Sequence, residues 1–131
     1  MSIEPAGFLV ILEEFAKSHF VKEFEKRRAW SITWKGLEQI LARFDPDALA
    51  GKLEPAIRIS DDRTLVLYKM SFRMADDNKS AKASGNRMIF VSDYAHRLIR
   101  VLLIYNKNHV QGNRETDWWM KLVYGQYQKL P

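Results

Sequence analysis

The chain has 131 residues, 47% of them apolar and 12% aromatic, which suits one domain with a real core and excludes a disordered composition. It has no cysteine, so disulfides, thiolate metal sites and thiol nucleophiles are excluded, and a reducing compartment is allowed. The net charge of +5 is unevenly placed: residues 1–60 hold nine Lys/Arg and nine Asp/Glu, whereas residues 61–131 hold twelve and seven. A surplus confined to one half points to a polyanionic partner.

Along the chain, Gly7 to Phe15 is apolar and β-prone and reads as a buried first strand. The apolar run Phe8–Leu12 is too short for a signal peptide or a membrane span, so a cytoplasmic protein without a membrane partner is expected. Ser18 is a plausible N-cap for a short helix through Arg28, with Phe20 and Phe24 on one face. Trp30, Trp34, Leu37, Leu41 and Phe44 then follow a helical rhythm that Asp45-Pro46 ends. Residues 46–63 form a connector, with a short strand expected at Ala56–Ile59.

From Leu65 the period changes to two. Val66, Tyr68, Met70, Phe72 and Met74 share one face, while Lys69, Ser71 and Arg73 share the other, which predicts a half-buried strand with a basic outer face. A polar loop precedes a strand from Arg87 to Val91. After a turn near Ser92–His96 comes a strand from Leu98 to Tyr105, apolar on both faces except at Arg100 and therefore central. Thr116 can cap a last helix carrying Trp118, Trp119, Leu122 and Val123. Trp118 and Trp119 are adjacent and cannot both face one core, so one of them is expected at a partner interface or on a nucleobase. The order favours an α+β fold, with two N-terminal helices packed on a small antiparallel sheet and a helical tail, in a single domain spanning 1–131.

Histidines 19, 96 and 109 lack metal spacing, and neither a phosphate-binding glycine loop nor a nucleophile elbow is present. What stands out is cationic. Lys69 and Arg73 share a strand face, Lys79 and Lys82 lie in the next loop, Arg87 opens the following strand, and Lys107 follows Tyr105. Converging on one surface, they can grip RNA phosphate. Cleavage by RNA's own 2′-hydroxyl needs that hydroxyl deprotonated, charge stabilised on the pentavalent phosphate, and a proton for the leaving 5′-oxygen. Guanidinium suits the second task, and a lysine or tyrosine of shifted pKa suits the others. The bland reading, a solvated basic face, competes with this one.

Three segments carry a resemblance: Tyr68–Arg73 (YKMSFR), Ser84–Phe90 (SGNRMIF) and Leu103–Asn108 (LIYNKN). Together with the element order they resemble the RelE/ParE superfamily of bacterial type II toxins over roughly residues 8–110. The resemblance implies a toxin neutralised by a cognate antitoxin. In its RelE branch it implies a metal- and cofactor-free endoribonuclease that cuts mRNA, usually on the ribosome, and inhibits translation. Carried over by position, Lys69 is a candidate proton acceptor or electrostatic partner, Arg73 and Arg87 stabilise the phosphate, and Tyr105 and Lys107 complete the catalytic set. Lys79, Lys82, Arg100, Asn108 and Trp119 are candidate RNA contacts. Ser71 stands where well-known ribonuclease members place a second lysine. Two readings from other classes stay open: a non-enzymatic inhibitor of a protein target, as in the gyrase-poisoning ParE branch, and a plain RNA-binding module.

Overall fold

The computed structural model describes residues 7–49, 51–54, 57, 58 and 64–127. In chain order its elements are β1 (Leu9–Leu12), α1 (Glu14–Ser18), α2 (Val21–Glu25), α3 (Trp30–Ala42), β2 (Ile57–Arg58), β3 (Leu65–Phe72), α4 (Ala81–Ser84), β4 (Asn86–Asp93), β5 (Leu98–Asn106) and α5 (Glu115–Gln126). Single 3-10 turns follow α3 at Asp47–Leu49 and β5 at Lys107–His109. No helix among the described residues is long and apolar enough to cross a membrane.

The strands form one sheet in the order β1-β5-β4-β3-β2, antiparallel throughout except that β1 runs parallel to β5. Period-two patterning in β3 works as expected on one side. Val66, Tyr68, Met70 and Phe72 enter a core with Trp30, Leu37 and Leu41 of α3 and with Phe24 of α2. The opposite face is where expectation and structure part. It is not a solvated basic surface, because α5 lies across it, and Leu67, Ile89, Val91, Leu103 and Tyr105 make a second core with Trp119 and Val123. Ser71 is buried as well.

A bulge explains why β5 reads as apolar on both faces. Ile89 pairs with Leu103 but Phe90 with Val101, so Leu102 is an extra residue in the ladder. Both Leu102 and Leu103 therefore join the α5-side core, and the residues before them are re-phased, which places Val101 and Ile99 in the α3-side core.

The N-terminal segment departs most from its sequence reading. β1 is four residues long and lies at the sheet edge with Leu9 66% exposed, so it is not a buried strand. Of the helix expected over 18–28 only α2 forms, after Phe20 at a positive φ of 43°, while α1 ends at Ser18 and takes Glu14 and Phe15 from the expected strand. Ser18 ends α1 and does not cap a helix. Phe20 and Phe24 consequently part company: Phe24 lies in the α3-side core and Phe20 packs on the α5 side. α3 stops at Ala42, three residues before Asp45. The strand expected at Ala56–Ile59 is seen as Ile57–Arg58, and its two ends lie outside the described residues.

Candidate functional site

Lys69, Arg87 and Tyr105 come from three adjacent strands. Arg87 sits directly opposite both Ser71 of β3 and Tyr105 of β5, and Lys69 lies two residues from Ser71, so strand pleating puts all three side chains on the α5 side. There they meet one carboxylate. Oε2 of Glu115, the first residue of α5, lies 2.9 Å from the Lys69 ammonium and 3.7 Å from Arg87 Nε. The same oxygen accepts a hydrogen bond from the Tyr105 hydroxyl at 2.7 Å.

Backbone carbonyls hold the Arg87 guanidinium in place. Its Nη1 donates to Asn86 O at 3.0 Å and its Nη2 to Lys82 O at 3.3 Å. That second carbonyl belongs to α4, a single turn capped by Ser80, whose hydroxyl accepts from Ala83 N. Gly85 then reverses the chain at φ +81°, a left-handed conformation that strains any side chain. Asn106 fastens the corner from β5, its Nδ2 donating to Asn86 Oδ1 at 2.8 Å and to Ser84 O at 3.2 Å.

Burial dominates the electrostatics. Arg87 is 4% exposed and Tyr105 wholly buried. Burial first, then the bond to Glu115 and its charge, push the Tyr105 hydroxyl far above its ordinary value of 10, with Arg87 opposing only in part. In this arrangement Tyr105 is therefore a neutral hydrogen-bond donor. Burial acts to raise the Glu115 carboxyl, but the bonds from Tyr105 and Lys69 and the charges of Lys69 and Arg87 prevail and hold it below its ordinary value. It is ionised near neutrality.

The other expected residues do not join this cluster. Arg73 lies just beyond β3, donates to Asp77 O at 3.2 Å, and borders a groove with Ile32, Thr33 and Gly36 of α3. Lys79, Lys82, Lys107 and Asn108 are exposed near the α4 corner, where the Lys107 stem passes within 3.5 Å of the position a Gly85 Cβ would take. Arg100 sits near the far end of β5, its Nε 2.6 Å from Glu13. Trp119 is the buried member of the tryptophan pair, 3% exposed against Leu67 and Ile89, so it offers no face to a nucleobase in this arrangement. Trp118 is half-buried, its ring edge-on to Tyr105 with centroids 5.1 Å apart. Among the acids near these strands, Asp76 pairs with Arg27 and Asp93 with His96, which leaves Arg87 to Glu115.

Sequence reading missed Glu115. An acidic residue at the start of a helix is ordinary dipole chemistry, and nothing local tells that this one faces three strands.

No family model and no curated protein matches the chain. Among solved structures it is similar to a chain of an archaeal RelE–RelB complex from Pyrococcus horikoshii, with a TM-score of 0.52 over 79% of this chain and 99% of that one. The fold is RelE-like. Sequence identity is 14%, so the likeness reaches the architecture and not the side chains. Within that RelE-like frame, the cationic cluster occupies one face of the sheet and α5 is the element that covers it.

Proposed function

We propose that this chain is the single-domain toxin of a type II toxin–antitoxin pair, a metal-independent endoribonuclease that cuts mRNA in the cytoplasm and is neutralised by a cognate antitoxin. The observation that carries the reading is the meeting of Lys69, Arg87 and Tyr105 at a single anionic oxygen. Fixed ammonium and guanidinium groups around an oxyanion-sized spot are what a phosphodiester needs as it becomes pentavalent. In that reaction Lys69 and Arg87 stabilise the phosphate oxygens. Tyr105, protonated throughout, donates a hydrogen bond to the same oxygens, while solvent water takes the 2′-hydroxyl proton as that oxygen bonds phosphorus and returns a proton to the 5′-oxygen as its bond to phosphorus breaks. Arg73, Lys79, Lys82 and Lys107 are exposed and take neighbouring backbone phosphates, and Asn108 lies among them. The RelE-like fold supports the toxin reading, because the similar solved chain belongs to a RelE–RelB complex.

Induction of the chain alone should arrest growth and shorten mRNA. Lys69→Met, which keeps the aliphatic stem, should relieve both while the protein stays folded. Unimpaired growth under strong induction of soluble wild type would remove the proposal.

One observation favours a second reading, a ParE-like inhibitor that binds a protein target without catalysis: Arg87 and Tyr105 are sealed beneath α5. That reading predicts DNA-damage signalling after induction, with mRNA left intact.

A further inference from the structure

Oε2 of Glu115 takes the place a phosphate oxygen would take. Donors from β3, β4 and β5 surround it, two of them cationic, and such a shell binds oxyanions in general and not carboxylates alone. The oxygen that fills the shell belongs to the chain itself. α5 also brings Trp118 edge-on to Tyr105 and Trp119 against Leu67, so one helix supplies both the plug and its cover.

Beside the plug is unfilled space. A cavity of about 180 Å³ is lined by Lys69, Leu67, Ile57, Glu54, Thr116 and Trp119. Trp119 is nearly inaccessible, yet its indole Nε1 has no hydrogen-bond partner among the described residues. A buried donor without an acceptor is costly, and an oxyanion lodged beside Lys69 is an acceptor of the right kind. Glu54 works against entry while Glu115 stays, because two carboxylates would then face the incoming charge. The cluster is electrostatically closed until Glu115 leaves.

The plug sits at a helix end that lacks a side-chain cap, although an exposed Arg114–Asp117 pair flanks it. Arg114 at the N-cap makes no side-chain capping bond. Gly112 precedes it at φ +86°, and among the described residues nothing beyond its chain neighbours lies within 4 Å of the position a Cβ would take there. The first turn can therefore lift while Val123 and its neighbours keep the rest of α5 seated.

We propose that Glu115 is an intramolecular competitor of phosphate: its carboxylate fills the Lys69–Arg87–Tyr105 site, a nucleic-acid phosphate enters only when the first turn of α5 moves off, and whatever repositions that turn sets the activity. This rests on the reading of the cluster as a phosphodiester site, but its test does not require cleavage.

The probe is inorganic phosphate, titrated into the full chain at constant ionic strength and followed by calorimetry and phosphorus NMR. Glu115→Gln should bind phosphate at least about tenfold more tightly than wild type, because the displaced competitor was held by charge-assisted hydrogen bonds. Adding Lys69→Met to that variant should abolish the gain. A folded Glu115→Gln protein that binds no more tightly overturns the proposal. Should that variant not fold, wild type decides: hydrogen exchange at amides 118–120, the first with helical acceptors, should quicken in phosphate relative to chloride, and unchanged exchange overturns it. RNA cleavage separates this inference from the proposed function. Tighter phosphate binding with no cleavage by any variant removes the ribonuclease reading and leaves the competitor standing. Cleavage by wild type that Glu115→Gln abolishes makes Glu115 part of the chemistry and overturns the competitor.

Discussion

Changing Glu115 to glutamine removes one negative charge and keeps the shape of the side chain, so its effect on stability reads the charge cluster directly. Side-chain exposures are 13% for Lys69, 5% for Arg87 and 23% for Glu115, between those of a surface pair and a fully buried one. Surface pairs contribute about 0–1 kcal/mol, and breaking a buried pair costs about 3–5 kcal/mol because a charge is stranded. The amide still accepts from Tyr105, but Lys69 and Arg87 both lose their counter-ion, which gives a loss of about 2–3 kcal/mol. Lys69→Met keeps the stem and leaves Glu115 with Tyr105 and Arg87, for a loss of about 1–2 kcal/mol. The double variant should therefore show a coupling of about 1 kcal/mol or more between the two sites. Urea denaturation at pH 7, followed by tryptophan fluorescence, measures all four corners of the cycle. A coupling below about 0.3 kcal/mol would mean that solvent screens the pair fully, and the claim that α5 seals a charged site would be wrong.

Acidification gives a second reading of the same group. A carboxyl held below its ordinary 4.5 in the folded chain contributes stability above that value and loses it as pH falls through the depressed one. Wild type should lose stability more steeply than Glu115→Gln on titration below pH 4.5, as followed by denaturant midpoints. Leu41→Ala empties a wholly buried position and should cost about 2–5 kcal/mol. Ile32→Ala, 66% exposed on the same helix, should change stability by less than about 0.5 kcal/mol in the same urea series. Gly85→Ala combines a φ of +81° with a new methyl 3.3 Å from Asn106 Nδ2, and should destabilise by about 1–2 kcal/mol, visible in the thermal midpoint.

Much of the frame was legible where periodicity is long. The helical stripe Trp30–Leu41 and the alternation of Val66, Tyr68, Met70 and Phe72 each name the face that becomes the α3-side core. The resemblance carried by YKMSFR, SGNRMIF and LIYNKN pointed to a RelE-like architecture, and the solved-structure likeness agrees. What could not be read was set by tertiary contact. Lys69 and Ser71 alternate like a solvent face, and it takes Glu115 of α5 to cover Lys69. The extra residue Leu102 shifts the phase of β5 without any glycine or proline to announce it. Phe20 at positive φ breaks a helix that side-chain spacing alone would continue. At the site, the sequence offered Lys69 and Arg87 as groups able to converge if their strands were neighbours, and β3 and β4 are neighbours. The convergence on Glu115 was not legible, because that residue arrives from a separate helix, 46 positions after Lys69 and 28 after Arg87.

The parallel ladder between β1 and β5 has a consequence for how the chain is made. Leu9 pairs with Leu98 and Leu12 with Val101, so the first strand waits for a neighbour synthesised 89 residues later. At the usual pace of about 5–20 residues per second, that is a delay of several seconds on the ribosome. During it, the N-terminal strand has no neighbour in the sheet, although β3 and β4 are already made. Cationic groups from β3 and β4 also emerge well before the helix that will cover them. A partner present during synthesis would therefore meet an open sheet face, which the finished molecule closes.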